Sequence, residues 1–378
     1  MLYTVKRVKM LNRRKMMEQI QQSAPRARVK KNDEAQLAQR LWHQIAADPL
    51  FREQIIREQS SVNHQKLPLW QGSLDAYTQA HLPKNPYVVV GTDGSQIYPD
   101  RHSGTHWYVI NIGSITLHYG TVTSSVKFDS FPQIFVGAEE DNRTEIIDAQ
   151  RSVLECKQGY DLLLPHKNET ALFLIDGPLR FWNAGTSGNK QELAVHLQEY
   201  IQLLQQFYEN DLLIAGYTSV PASRDLVQLL IHAHHDTLQK FEYVNDKDVA
   251  AFFLQPGFYS TLFSHAGLSA YPVMLQPWFF YFYSGYEIAR IEVPFYIAKD
   301  PSKIAMIMSI IFDQIVKGQG YPVCLAEAHE QAVIKEADRA FFYQMLQTVI
   351  SSNDEQGSMS AQSYQPSQKI MRKKRALV

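Results

Sequence analysis

The stretch that decides the fold is YVVVGTDGSQ, residues 87–96. Three consecutive β-branched residues run into Asp93-Gly94, which predicts a buried strand with a carboxylate at its end. A second stretch, ALFLIDGPL at residues 171–179, repeats this design and ends its apolar run at Asp176. Apolar strands this continuous are buried on both faces, as in sheets whose parallel pairs are covered by helices.

The functional prediction begins with the two strand-end aspartates, Asp93 and Asp176. If their strands lie side by side and parallel, both carboxylates stand at the carboxyl edge of the sheet, where ligands bind in open α/β sheets. Two carboxylates in a part-buried site repel each other unless a cation neutralises them. The pattern therefore predicts a divalent-metal site. Because Asp-Gly is a common turn dipeptide, two ordinary turns are the alternative.

The composition limits the function classes. With 378 residues and 45% hydrophobic content, the chain can bury one elaborated domain or two. A net charge of −1 gives no overall sign of nucleic-acid binding. Basic residues nevertheless cluster in residues 1–31 and 369–375, either as solvated tails or as contacts to a polyanion.

Cysteine usage and hydropathy predict a cytoplasmic protein. The two cysteines, Cys156 and Cys324, fall in predicted helices and lack metal-ligand spacing, which suits a reducing compartment. No apolar run is long enough for a membrane span, and the first residues lack the apolar core of a secretory signal. We therefore expect no membrane partner.

Four segments are predicted along the chain. Residues 1–31 read as a basic, mobile or marginally helical N-terminus, and residues 32–86 as a helical and then irregular extension. Residues 87–350 form the main domain, with an aromatic-rich insertion at about 235–280 that resists assignment. Residues 351–378, rich in Ser and Gln and basic at the end, read as a disordered tail.

Within the main domain, apolar patterns define the element order. They predict, in chain order, an antiparallel hairpin over 106–120 punctuated by Gly113, a loop over 130–141, helices over 144–157 and 190–210, a buried strand over 211–217, and a long helix over 323–350. This order predicts an α/β protein with a mixed sheet, flanking helices and helical terminal extensions. By analogy it is the order of the ribonuclease-H-like fold.

A divalent cation takes about six ligands, so other side chains must join the two aspartates. On the helix over 144–157, the polar stripe contains Asp148, Ser152 and Glu155. Periodicity does not separate Glu155 from Asp148 or from Glu145, and a solvated helix residue is the alternative for each.

Three further residues have both a functional and a structural interpretation. His329 lies on the apolar stripe of its helix and is predicted to face inward, as a satisfied core histidine or as a ligand or proton carrier. Tyr321, just before that helix, either packs or contacts the site. Arg290 alternates with apolar residues on a strand, so it either contacts phosphate or pairs with Glu292 on the same face.

Four segments of the chain, in this order, resemble the NurA nucleases. They are GTDGSQ at 91–96, LIDGPL at 174–179, ARIEVP at 289–294 and GYPVCLAEAH at 320–329. The first two are short, whereas the fourth is more specific, and the similarity runs from about residue 87 to 345.

The resemblance implies a ribonuclease-H-like fold and a manganese-dependent (or magnesium-dependent) nuclease acting on single- and double-stranded DNA. It also implies a homodimer that works with a HerA-type hexameric ATPase in end resection at double-strand breaks. The family's aspartates fall on Asp93 and Asp176, its helical glutamate on Glu155, and its late tyrosine and histidine on Tyr321 and His329. All but the tyrosine would be metal ligands, and the metal would activate water and neutralise charge on the phosphate.

One segment departs from the family pattern. Residues 214–225 resemble a family segment that often carries a basic residue where Val220 stands. If that basic residue contacts DNA, this chain is expected to use Arg224 instead.

Two other classes of function remain open from the sequence. An actin-like phosphotransferase or ATPase shares the core fold and uses Asp-Gly-Ser near phosphates, although no Walker-type loop is present and that group has two duplicated domains. A non-catalytic adaptor of a ring ATPase is the second class. Occupation of all the expected ligand positions argues against it.

Overall fold

The structure is a computed structural model, and it describes residues 12–59, 67–99, 106–120, 124–137, 144–181, 190–234, 241–265, 268 and 270–354. The helices of this part are α1 (Arg13–Ala47), α2 (Phe51–Gln59), α3 (Thr144–Leu163), α4 (Lys190–Glu209), α5 (Asp225–His234), α6 (Asp246–Ala250), α7 (Phe295–Ala298), α8 (Pro301–Lys317), α9 (Val323–Ala332) and α10 (Glu336–Asp354). The strands are β1 (Tyr77–Gln79), β2 (Tyr87–Ile97), β3 (Trp107–Tyr119), β4 (Val126–Val136), β5 (Ala171–Asp176), β6 (Leu213–Thr218), β7 (Phe258–Ser260), β8 (Phe263–Ser264), β9 (Pro277–Tyr283) and β10 (Ile288–Pro294).

These strands form one mixed sheet in the order β1-β7-β9-β10-β6-β5-β2-β3-β4, with β8 paired to β9. The strands β2, β5 and β6 are parallel, and the other neighbours pair antiparallel. The predicted α/β mixed sheet with flanking helices is confirmed. The ribonuclease-H-like class stays a prediction, which is supported by three antiparallel strands followed by two parallel ones.

The predicted aromatic-rich insertion belongs to the sheet. Its described part contributes β7, β8 and the first half of β9, which extend the sheet beyond β10. The aromatic residues of β9 are buried on both faces, since Phe279 and Tyr281 join one apolar cluster and Phe280 and Phe282 another. A strand buried on both faces has no polar alternation, which explains why its pattern resisted assignment.

The predicted hairpin over 106–120 is wrong, because β3 is a single strand. Gly113 lies inside it, and a Cβ there would stand 2.2 Å from the backbone nitrogen of Ala332 in α9. The glycine therefore permits a close helix contact and does not make a turn. The antiparallel partner of β3 is β4, which includes most of the predicted loop over 130–141. Pro132 is compatible with β4 because β4 lies at the sheet edge.

The predicted long helix over 323–350 is two helices, α9 and α10. At the end of α9 the carbonyl oxygen of Ala332 accepts hydrogen bonds from Asn111 Nδ2 at 3.0 Å and from Ser95 Oγ. Side chains of β2 and β3 thus satisfy a terminal carbonyl that another helical turn would otherwise satisfy. At the start of the α10 helix, the side chain of Asp338 accepts a hydrogen bond from the backbone nitrogen of Lys335 at 3.0 Å.

The N-terminal region is more helical than its composition predicted. The α1 helix begins at Arg13, within the stretch expected to be mobile or marginally helical, and the side chain of Asn12 accepts from the nitrogen of Lys15 at 3.1 Å. Its second half buries Trp42 and Ile45 in a cluster with α5 and α6. The predicted tail, apart from the last residues of α10, lies outside the described residues, as do residues 1–11.

Membrane insertion has no structural support in the described ranges, where every helix is too short or too polar to cross a bilayer.

Two helices enclose the end of β2 from opposite faces of the sheet. Strand alternation puts Gly91 and Asp93 on one face and Thr92 on the other. A Cβ on Gly91 would lie 2.6 Å from the carbonyl oxygen of Cys324, so the first face carries α9. Thr92 Oγ1 donates to the carbonyl oxygen of Glu155 at 3.1 Å, so the second face carries α3. The end of β2 therefore lies between α3 and α9.

Candidate active site

The structure brings Asp93 and Asp176 together. Thr92 pairs with Ile175 in parallel register, so the next residue of each strand extends from neighbouring backbones about 4.8 Å apart. Although Asp176 is exposed as a residue, burial of its carboxyl group raises its pKa, and the charge of Asp93 adds to this shift. The two carboxylates therefore interact, as the sequence predicted.

The α9 side of the site supplies an imidazole. His329 Nδ1 lies 2.6 Å from Asp93 Oδ2. The side chain is 62% exposed, so it does not face inward as predicted. The buried stripe of α9 consists of Cys324, Leu325, Ala328 and Ala332, and His329 lies beside it at the rim of the sheet.

Tyr321, just before α9, contacts the second aspartate. Its phenol donates a hydrogen bond to the carboxylate of Asp176, and its ring packs edge-on against Tyr217 with centroids 5.7 Å apart. Burial, together with the negative charge of Asp176, raises the pKa of Tyr321. The phenol therefore stays protonated near neutral pH and can act as a donor.

Glu155 reaches the site from α3, on the opposite face. Its side chain is 12% exposed. Burial raises its pKa to about 8; Arg151 opposes this shift, whereas Asp93 and Asp176 add to it by repulsion. Glu155 therefore lies close enough to sense both strand-end carboxylates.

The structure also separates Glu155 from the two acids that periodicity left equivalent. Asp148 accepts hydrogen bonds from Tyr98 at 2.6 Å and from Gln96 at 3.1 Å, so it is used within the fold. Glu145 is exposed in the first turn of α3. The charges of Asp93 and Asp176 both contribute to the raised pKa of Glu155, so Glu155 interacts with the strand-end pair.

Arg151 is a site residue that the sequence reasoning missed. Its Nε lies 3.4 Å from Glu155 Oε1, and its Nη1 donates to the carbonyl oxygen of Gly94 and to Gln96 Oε1, both at 3.2 Å. The spacing of Arg151 and Glu155, four residues apart on one helix, was a usable signal. Because Gly94 has no Cβ, the Glu155 carboxylate can approach the strand, where a Cβ would lie 2.4 Å from Oε1.

The donor chemistry fits a divalent cation. Asp93, Glu155, Asp176 and His329 provide the oxygen and imidazole ligands that such ions accept. Burial is the main cause of the raised pKa values of Glu155 and Asp176, and repulsion from Asp93 adds to both. As they stand, no group of three or more His, Cys, Asp or Glu side chains among the described residues is arranged to hold an ion. Binding would therefore require side-chain movement.

Two cavities lie next to these side chains. One of about 300 Å³ is bounded by Arg151, Glu155 and Asp176. The other, of about 490 Å³, lies beside it, and Pro178 and Arg180 line both. The two cavities therefore adjoin along the segment that follows Asp176.

Arg290 pairs with Glu292, which was one of the two interpretations that the sequence left open. Its Nε donates to Glu292 at 2.9 Å and its Nη1 to Asp225 at 2.7 Å. Burial alone would raise the pKa of Glu292, but the charges of Arg290 and His265 outweigh it and hold that pKa at about 2. The other Glu292 oxygen accepts from the backbone nitrogen of Arg180 at 3.3 Å. This network thus holds the segment after Asp176.

Arg224 is also used within the fold. Its guanidinium donates to the carbonyl oxygens of Phe241 and Val244, the latter at 3.4 Å. Val220, where the family often has a basic residue, is 49% exposed and has a φ of 42°. The structure therefore does not place Arg224 beside the carboxylates, and a DNA contact through it stays a prediction.

Comparison with known proteins gives a family match. The family model described as the NurA domain matches residues 87–334. None of the curated proteins compared with the chain matches it.

The similar solved structures include the following three. "Crystal structure of NurA" is 12% identical, covering 72% of this chain and 90% of that chain with a TM-score of 0.43. "Crystal structure of NurA bound to dAMP and manganese" is 12% identical, covering 73% and 90%, with a TM-score of 0.43. "Crystal structure of NurA with manganese" is 13% identical, covering 88% and 98%, with a TM-score of 0.40.

Proposed function

This chain belongs to the NurA family, and from that membership we propose that it is a divalent-metal-dependent deoxyribonuclease, which hydrolyses phosphodiester bonds of DNA. The observation that carries the proposal is the pair of adjacent strand-end carboxylates, Asp93 and Asp176. Glu155 is near enough for the charges of both to contribute to its raised pKa. Such a cluster is stabilised by a cation and suits the chemistry of a phosphodiester hydrolase.

We assign the metal to Asp93, Glu155, Asp176 and His329. Mn²⁺ or Mg²⁺, when bound, supplies Lewis acidity that lowers the pKa of water and offsets charge on phosphoryl oxygens. Arg151 Nε stands 3.4 Å from Glu155 Oε1, so Arg151 holds the carboxylate that would take part in metal binding. His329, held at Nδ1 by Asp93, can act through its other nitrogen as a ligand or proton carrier.

The direct test is digestion of end-labelled linear DNA. We expect cleavage with Mn²⁺ or Mg²⁺, loss of cleavage in EDTA and recovery when excess Mn²⁺ is added. A second readout needs no turnover: a cation that binds only the folded protein at about 100 times its Kd stabilises it by about 2.7 kcal/mol. We therefore expect Mn²⁺ to raise the melting temperature. Cleavage that persists in EDTA would contradict the metal mechanism.

Tyr321 positions Asp176 in this proposal. We expect Tyr321→Phe to lower kcat about 10- to 100-fold, because a hydrogen bond to a charged group contributes about 1.5–3 kcal/mol. Tyr286→Phe is the matched control, since Tyr286 is 63% exposed and should leave the rate unchanged. The measurement is steady-state kinetics of cleavage of the same labelled DNA by both variants and the unaltered protein. An unchanged kcat for Tyr321→Phe would remove Tyr321 from the mechanism.

Family membership also supports an assembly. We propose a homodimer that works with a HerA-type hexameric ATPase in resection of double-strand ends. Light scattering should then give twice the chain mass of 43.4 kDa, and the ATPase should change the extent of digestion. A monomer at every concentration, or digestion that the ATPase leaves unaltered, would contradict the corresponding half of this proposal.

A further inference from the structure

The second cavity, of about 490 Å³, is not lined by any of the four side chains assigned to the metal. Its volume falls in the usual range for small-molecule pockets, roughly 300–1,000 Å³. Because it shares Pro178 and Arg180 with the carboxylate cavity, a DNA strand with its phosphate at the carboxylates would have a neighbouring group beside this opening.

Two anion-binding features of the cavity wall are already occupied within the fold. Arg290 is bonded to Glu292 and Asp225. The N-terminus of α5 is also occupied, because Asp246 accepts from the backbone nitrogens of Asp225, Leu226 and Val227 at 2.7, 2.8 and 3.0 Å. A buried guanidinium and a helix N-terminus are the usual anion-binding devices, and here both are neutralised from within. The part of the cavity around Arg290 and the start of α5 therefore suits an uncharged ligand and not a phosphate.

The walls suit a flat ring with polar edges. Pro178, Pro221 and Ala222 provide apolar surface. Thr218 also lines the cavity, and its Oγ1 is buried without a hydrogen-bond partner within the described ranges. An unsatisfied buried hydroxyl is unfavourable, and a hydrogen bond to a ligand with a polar edge would remove that cost.

We propose that this cavity is a nucleobase subsite. It takes the base of the nucleotide next to the scissile phosphodiester, with Thr218 Oγ1 bonded to the base edge and Arg180 beside the connecting backbone. This inference rests on the proposed nuclease function and adds to it the site that positions the substrate strand. A cavity that holds one base predicts that the enzyme engages an unpaired end, because a paired base is not free to enter it.

The test measures binding of a single-stranded oligonucleotide that carries a terminal 2-aminopurine. The fluorescence of the 2-aminopurine reports the binding, and EDTA is present so that no DNA is cleaved. Ala222→Trp fills the cavity, and Ala340→Trp on the exposed surface of α10 is the matched control. We expect the fluorescence change to be kept in the control and the affinity to fall about tenfold or more in Ala222→Trp. Thr218→Val, nearly isosteric, should also weaken binding about tenfold, which is about 1.4 kcal/mol.

Two outcomes would overturn the subsite: no fluorescence change with the unaltered protein, or equal affinity in Ala222→Trp and Thr218→Val. The nuclease function is judged separately by Mn²⁺-dependent digestion. If the unaltered protein digests DNA but both variants bind the base normally, the subsite alone is rejected. If Ala222→Trp weakens base binding but the unaltered protein digests no DNA, the nuclease function is rejected and the base-binding site is kept.

Discussion

Asp93→Asn and Asp176→Asn are each expected to lower Mn²⁺-dependent DNA cleavage by about 10³-fold or more while the protein stays folded. Loss of metal-derived transition-state stabilisation costs several kcal/mol, and each 1.36 kcal/mol is tenfold in rate. The amide keeps the shape of the carboxylate, so the strand ends are not disturbed. Because the pKa of Asp176 is already raised by burial and by Asp93, removing its charge should not lower the melting temperature without metal.

The matched control is Asp161→Asn, the same substitution on an exposed residue of α3, which should cleave at the normal rate. Melting curves with and without Mn²⁺ separate loss of metal from loss of structure: the unaltered protein gains stability with Mn²⁺, and the two site variants should gain little. Normal cleavage by either site variant would remove that carboxylate from the mechanism and, with it, the main support for a nuclease.

Arg290→Met is expected to lower the free energy of unfolding at neutral pH by about 3–5 kcal/mol, the usual cost of removing one partner from a buried ion pair. The side chains of Arg290 and Glu292 are 5% and 2% exposed, so the remaining carboxylate cannot be solvated in place. Adding Glu292→Gln to Arg290→Met should recover much of the loss, because the uncompensated charge is then gone.

The pH dependence of this effect has a definite sign. The pKa of Glu292 is about 2 in the folded protein, against an ordinary value of 4.5 for a solvated glutamate. A lowered pKa stabilises the folded state above the unfolded value and loses that contribution as the pH falls through the folded one. Urea unfolding should therefore show the gap between the unaltered protein and Arg290→Met shrinking from about pH 4.5 towards pH 2.

The control for the stability measurement is Arg40→Met on exposed α1, which should change the free energy of unfolding by no more than about 0.5 kcal/mol. The free energy of unfolding of Arg290→Met could differ from that of the unaltered protein by less than about 1 kcal/mol, or by an amount that does not change with pH. Either result would mean that the buried ion pair contributes less to stability than its geometry indicates.

The sequence predicted those features of the site that lie within one element. The apolar runs before Asp93 and Asp176 identified two buried strands, and the helices bearing Glu155 and His329 were found from periodicity. A strand end and a helical stripe depend on nearby residues, so a single sequence contains the information needed to find them.

The sequence did not determine what depends on partners distant along the chain. Gly113 was interpreted as a break between two hairpin strands, yet it lies inside β3, where α9 packs against it. At the end of α9, Asn111 of β3 donates to the carbonyl oxygen of Ala332. Arg290 was equally consistent with a phosphate contact until the structure placed Asp225 and Glu292 around it.

The sequence by itself thus determined the buried strands, their terminal carboxylates and the class of fold. Only the tertiary structure decided which acid of α3 joins them, that His329 is at an exposed rim, and that a cavity lies beside Arg180. The physical reason is that periodicity reports which face of an element is buried, whereas contacts, pKa values and cavities depend on which distant element covers that face.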